Sequence, residues 1–218
     1  MEIRLVVVAA SLALLTTIRA CDTVLPYSGT GLGAVGRIGD GFTVGLLLPD
    51  GRGERYDTYD RPAITRAVAA LCPKCEVVSA NAGGDQGIQN RQLSEMLAED
   101  VRVLILVAVR PEATASAVAG AKLLRAKVIA YDRLANGPVD AYTGFSGPEA
   151  DRRRGAAARL DITREAGSAA RLAVDLACGK AVYGTTTVAN GTTASIPAVM
   201  IRPAARLPGA VSEAGADG

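Results

Sequence analysis

From residue 42 onward, apolar and polar positions fall into alternating blocks. Phe42–Leu48 is a short apolar run closed by Pro49-Asp50, with the length and bounds of a buried strand. Arg61–Leu71 places Ile64, Val68 and Leu71 on one helical face. Glu76–Ala80 reads as a second strand, and Asp85–Asp100 as a second helix with Ile88, Leu93, Met96 and Leu97 inward. Val101–Val109 is the most apolar strand, Glu112–Arg125 a third helix, Lys127–Tyr131 a fourth strand and Ala141–Phe145 a fifth. Continuously apolar strands separated by helices predict a parallel sheet covered on both faces by right-handed crossovers. The expected fold is α/β, a Rossmann-like three-layer αβα arrangement.

The later pattern is different. Pro148–Leu160 is helix-like but carries Arg152, Arg153, Arg154 and Arg159 against an apolar side made mainly of alanine, a poor core helix. Glu165–Cys178 is better, with Ala169, Leu172, Ala173 and Leu176 in register and Gly179 as its C-cap. Thr185–Ala189 and Ser195–Ile201 read as strands around Asn190-Gly191, a hairpin signal.

The N-terminus predicts export. Arg4 precedes an apolar run, Leu5–Leu15, whose reach of roughly 20 Å is too short for a bilayer core of about 30 Å, so a secretory signal over residues 1–20 is expected. Ile18-Arg19-Ala20-Cys21 resembles a bacterial lipobox, which implies acylation of Cys21 after cleavage; simple cleavage after Ala20 is the alternative, and both export the chain. Residues 21–41 are Gly-rich, as in a tether, and contain Gly31-Leu-Gly-Ala-Val-Gly36. That GxGxxG lacks a preceding strand and a following helix, so no nucleotide site is expected there.

Composition narrows the function. The 218 residues include 24 Lys and Arg against 22 Asp and Glu, spread without a basic face, which gives no support for a nucleic-acid partner. Histidine is absent, which excludes Ser-His-Asp and Cys-His catalysis and His-ligated metal. With no phosphate loop or paired catalytic carboxylates either, the chain is read as no enzyme, and no cofactor or metal is expected. Cys72-Pro-Lys-Cys75 has no second CxxC to complete a zinc site; in an oxidising compartment it reads as a small structural disulfide.

In an open parallel sheet, ligands sit outside the carboxyl ends of the strands. The segments Pro49–Tyr56, Val109–Pro111 and Tyr131–Leu134 therefore matter. Their chemistry suits a neutral polyol. Asp132 accepts from two adjacent hydroxyls, Arg133 or Arg55 donates in a fixed fork, and Tyr56 stacks on an apolar ring face. The alternative is that Asp132 and Arg133 merely cap or pair at the surface while Arg55 is solvated.

At these residues a family resemblance enters. Val44-Gly-Leu-Leu-Leu-Pro-Asp50, Glu54-Arg-Tyr56 and Asp60-Arg-Pro62 resemble the start of type I periplasmic binding proteins of the xylose class. Cys72-Pro-Lys-Cys75 and Ser79-Ala-Asn81 resemble its actinobacterial lipoprotein version, and Val128-Ile-Ala-Tyr-Asp-Arg-Leu134 its sugar-binding Asp-Arg segment. The resemblance implies a sugar-capture lipoprotein of an ABC importer, with a monosaccharide (pentose or hexose), ABC permease subunits and the cell membrane as partners. It makes Arg55, Tyr56, Asp132 and Arg133 sugar-binding residues of the amino lobe.

The resemblance breaks after Phe145, where Gly147 stands in place of a sugar-binding asparagine. It resumes from Thr163 with the family's last long helix and closing strands. Most of the second lobe is therefore expected to be missing. The expected organisation is an amino lobe at 42–147, a stub at 148–162, a returning helix and strands at 163–207, and a disordered tail at 208–218. A degenerate or repurposed single-lobe interaction module is the competing reading.

Overall fold

The computed structural model describes residues 41–50, 55–145, 156–182, 184, 186–189 and 195–201. The expected signal segment, Cys21, the tether with its GxGxxG, the Asn190-Gly191 turn and the tail lie outside the described residues.

Five strands alternate with helices as the apolar blocks predict: β1 (Thr43–Leu48), α1 (Arg61–Leu71), β2 (Glu76–Asn81), α2 (Gln86–Ala98), β3 (Val103–Leu106), α3 (Ala115–Leu123), β4 (Lys127–Tyr131) and β5 (Ala141–Phe145). α4 (Ala156–Ala177), β6 (Thr186–Ala189) and β7 (Ser195–Ile201) follow. The sheet runs β2-β1-β3-β4-β5-β7-β6, parallel except for the antiparallel β6–β7 edge. Order reverses between β1 and β3, which opens a crevice at the carboxyl ends of those strands.

Each face of the central strands is buried. Leu46, Ile105, Ile129 and Tyr131 pack on one side beneath Ile64, Val68 and the alanines of α4. Leu47, Leu104, Leu106 and Val128 pack on the other against Leu93, Met96 and Val118 of α2 and α3. Ala166, Ala169, Ala170 and Ala173 are each fully buried. Small side chains on that stripe let α4 lie close to α1 and the sheet, because interaxial distance follows side-chain size at the contact. Cys72 and Cys75 are joined in a disulfide at the turn from α1 to β2, as expected from the CxxC.

Three expectations change. α4 is one helix from Ala156, where the sequence reads two segments; Ile162 (3% exposed) and Asp161 (5%) extend the buried face of the later segment back past Thr163. No Gly or Pro interrupts the chain between them, so the backbone ladder has no reason to break. On α2, Leu93 and Met96 are buried as expected, whereas Ile88 and Leu97 are half-buried and Gln86 and Gln89 occupy interior positions. β3 leaves the ladder after Leu106, earlier than its apolar run ends.

Candidate ligand site at the carboxyl ends of the strands

Arg55 is the hub of the crevice. A π-helical turn, Tyr56–Asp60, precedes α1 and buries both Tyr56 and Asp60. Its i→i+5 pattern brings residues five apart onto one face. Arg55 thus meets Asp60 side-on, with Nε–H donating to Oδ2 at 3.1 Å and Nη2–H to Oδ1 at 3.2 Å. Nη1–H donates to Asp132 Oδ1 at 3.2 Å, and Nη2–H also donates to Glu165 Oε2 at 3.1 Å. One planar guanidinium is held by three carboxylates from three separate elements. Burial opposes the charge on Arg55, but the three carboxylates outweigh it and hold the group charged well beyond its ordinary range.

Asp132 sits at the end of β4 with φ +61°, the left-handed region that Asp tolerates better than most residues. The Arg133 N–H returns to the Tyr131 carbonyl at 2.6 Å, closing a three-residue turn around Asp132. The Asp132 N–H bonds the Thr143 carbonyl, and the Tyr142 hydroxyl donates to the Asp132 carbonyl at 3.1 Å. Gly144 allows this last contact: a Cβ there would lie 2.0 Å from the Tyr142 hydroxyl. The strained turn is fastened on both sides, and it sets the Asp132 carboxylate against Arg55 and Tyr56.

Tyr56 donates to Asp132 Oδ2 at 2.8 Å. Its ring is buried (6% exposed), with the Arg55 guanidinium 5.2 Å from the ring centre. Tyr56 therefore holds the Asp132 carboxylate instead of offering an open stacking face. Burial, then the Asp132 charge, push its phenol well above its ordinary range. Tyr131, fully buried, donates to Asp60 Oδ1 at 2.5 Å; burial and the nearby Glu165 and Asp60 push its phenol up as well. Asp60 is buried so thoroughly that desolvation raises its carboxyl despite Arg55 and Tyr131.

Arg133 points elsewhere along the same edge. Its Nη1–H donates to the carbonyls of Ala108 at 3.2 Å and Val109 at 3.4 Å. That segment has left the sheet, and two amides of α2 replace its missing partner. Gln89 donates to the Val107 carbonyl at 2.9 Å and accepts from the Val109 N–H at 3.0 Å, while Gln86 accepts from the Arg110 N–H at 2.9 Å. A buried peptide group left unpaired is costly, and these amides remove the cost while fixing the loop.

The structure brings Arg55, Tyr56 and Asp132 into one hydrogen-bonded cluster and places Arg133 on the neighbouring loop. Sequence reasoning did not single out Asp60, Glu165, Gln86 or Gln89. Glu165 carries one signal, since it sits in the same apolar register as Ala169, Leu172 and Ala173. Among the described residues no cluster of potential metal ligands is present. In chemical terms the site presents the Asp132 carboxylate with its two oxygens oriented by donors of fixed direction on Arg55 and Tyr56.

Comparison with known proteins gives the following. Residues 44–159 match the periplasmic binding protein domain family. The D-xylose-binding periplasmic protein of Haemophilus influenzae is 33% identical over 103 residues, covering 47% of this chain and 30% of its own length. That of Escherichia coli is 31% identical over 120 residues, covering 55% and 35%. The chain thus spans about a third of the length of these curated relatives. Among solved structures, a solute binding protein of Clostridium phytofermentans with bound β-D-glucose shares 25% identity at a TM-score of 0.45, covering 48% of this chain and 32% of that one. A carbohydrate transporter solute binding protein of Chloroflexus aurantiacus in complex with D-glucose shares 27% at 0.43, covering 47% and 30%.

Proposed function

The chain belongs to the periplasmic binding protein domain family, and from that premise we propose that it captures a monosaccharide for an ABC importer. It binds and releases its ligand without chemistry. The observation that carries this reading is the Asp132 carboxylate, held at the end of β4 by a strained turn and oriented by Arg55 and Tyr56. A carboxylate oriented by protein donors is an acceptor of fixed direction, the kind of group that reads sugar hydroxyls. Arg133 donates through Nη1 to the Ala108 and Val109 carbonyls of the neighbouring loop, and its other N–H groups are the donors this reading assigns to the same ligand. Two of the relatives are D-xylose-binding periplasmic proteins, which makes a pentose or hexose the first choice.

The finer parts of the reading are that the chain is exported by its first 20 residues, acylated at Cys21 and recognised by permease subunits. A mature chain whose mass lacks the lipid, or whose Cys21 is found in a disulfide, contradicts the anchor. The described residues form one lobe, one wall of a cleft that such proteins close by hinge motion. A second reading, an interaction module that binds no sugar, draws on the commitment of Arg55 to three carboxylates.

Thermal unfolding with a panel of sugars tests the two readings. Ligand at about 100 times its dissociation constant adds roughly 2.7 kcal/mol, a shift of several degrees. A shift with one pentose or hexose supports capture. A cooperative melt that no sugar moves supports the interaction module.

A further inference from the structure

We infer that Glu165 of α4 is a positioning residue of the ligand site: it fixes the Arg55 guanidinium, through which it sets the Asp132 carboxylate. The inference rests on the reading that Asp132 accepts from a sugar, and its first readout is independent of that reading.

Glu165 is fully buried on the face of α4 that also carries Ile162, Ala166, Ala169, Ala170 and Ala173. An apolar side chain there would continue the packing of α4 on the sheet. A carboxylate in its place carries a desolvation cost of several kcal/mol, recovered only through good geometry with a partner. That partner is Arg55, 110 residues away in the chain, at 3.1 Å.

The donor count shows what the contact does. A guanidinium has five N–H groups in one plane. Asp60 takes Nε–H and one Nη2–H, Glu165 takes Nη2–H, and Asp132 takes Nη1–H. Asp60 fixes one edge of the plane, and Glu165 anchors its inner corner, so Nη1 is left to face Asp132. With Glu165 neutral, the carboxylates still bonded to Arg55 among the described residues are Asp60 and Asp132, and Asp132 lies at the more exposed side (11% exposed, against 0% for Glu165). The guanidinium is then drawn outward, and the Asp132 carboxylate loses its set direction.

The test uses Glu165→Gln, which keeps the shape and removes the charge, and Glu165→Asp, which keeps the charge one carbon shorter. The first readout is the rate of modification of Arg55 by phenylglyoxal, resolved by peptide mass. Arg55 is expected to be protected in the wild type, at least fivefold faster to react in Glu165→Gln, and intermediate in Glu165→Asp, with all three proteins melting cooperatively. The second is affinity for whichever sugar shifts the wild-type melt. Glu165→Gln is expected to weaken it about tenfold, and Arg55→Lys to add little in that background.

Unchanged Arg55 protection in both variants overturns the inference, as does full additivity with Arg55→Lys. If Glu165→Gln does not fold, Glu165→Asp decides by the same rates. If no sugar binds the wild type while Arg55 still becomes reactive, the positioning stands and the capture reading falls.

Discussion

The Arg55 guanidinium and the Asp60 carboxylate meet through two hydrogen bonds, 3.1 and 3.2 Å long, between residues five apart. An ordinary α-helical turn brings residues three and four apart together, not five, so this pair depends on the π-helical turn at Tyr56–Asp60. The fork geometry also depends on arginine. Arg55→Met takes the cation away from the buried carboxylates of Asp60 and Glu165 and should cost about 3–5 kcal/mol. Arg55→Lys keeps a charge without the fork and should cost about 1–2 kcal/mol. Urea unfolding of both variants checks the order; equal costs would mean that charge, not fork geometry, is what Arg55 supplies.

Asp132 combines a left-handed backbone with a useful side chain, and the two can be separated. Asp132→Ala loses the carboxylate and forces a Cβ-bearing residue without local polar compensation into a conformation that costs about 1–2 kcal/mol. Asp132→Gly loses the carboxylate and relieves the backbone. The glycine variant should melt several degrees above the alanine variant, and neither should bind sugar. Identical melting temperatures would show that the turn is not strained.

Asp60 gives a pH signature. Its carboxyl is raised above the ordinary value of 3.8, first by burial. A raised folded-state value means that the native protein holds this proton more tightly than the unfolded chain. The stability from Asp60 is then complete below 3.8 and is lost as pH rises through the folded-state value. Asp60→Asn carries no such term. The stability difference between Asp60→Asn and wild type should therefore move in favour of the variant as pH rises from 3.8 toward neutrality. A difference moving the other way would mean that Arg55 and Tyr131 outweigh burial.

Gln89 stands in for a strand. Gln89→Leu matches its size but leaves the Val107 carbonyl and Val109 N–H without their partner, at about 1–3 kcal/mol for each group. The loop that receives Arg133 should loosen with it. Hydrogen exchange at Val109 and Arg110 is the check: faster exchange is expected, and unchanged protection would mean that the loop is held by other contacts.

Much of the fold was legible because burial on both sheet faces leaves continuous apolar strands. Val44–Leu48, Val103–Leu106 and Val128–Tyr131 needed no partner information to be read. The place of the site followed from the sheet, since Arg55, Tyr56 and Asp132 all follow strand ends. What failed to show was polar burial. Gln86 and Gln89 look like solvent-facing helix residues until the Val107 carbonyl and the Val109 and Arg110 N–H groups, which have left the ladder, are beside them. The turn Tyr56–Asp60 looks like a polar loop, because its register is set by Arg55 reaching Asp60 and not by apolar spacing. Glu165 meets Arg55 across 110 residues, a pairing that no local pattern encodes.

Titration calorimetry of the chain with D-xylose and D-glucose, for wild type and Asp132→Asn, tests the central claim most directly. The account predicts that one sugar binds the wild type with measurable heat at millimolar concentration or below. It also predicts that Asp132→Asn, with the turn kept and the charge gone, binds at least about tenfold more weakly, a loss of about 1.4 kcal/mol. Equal affinity of the two proteins, or no heat from either sugar at millimolar concentration, would contradict it.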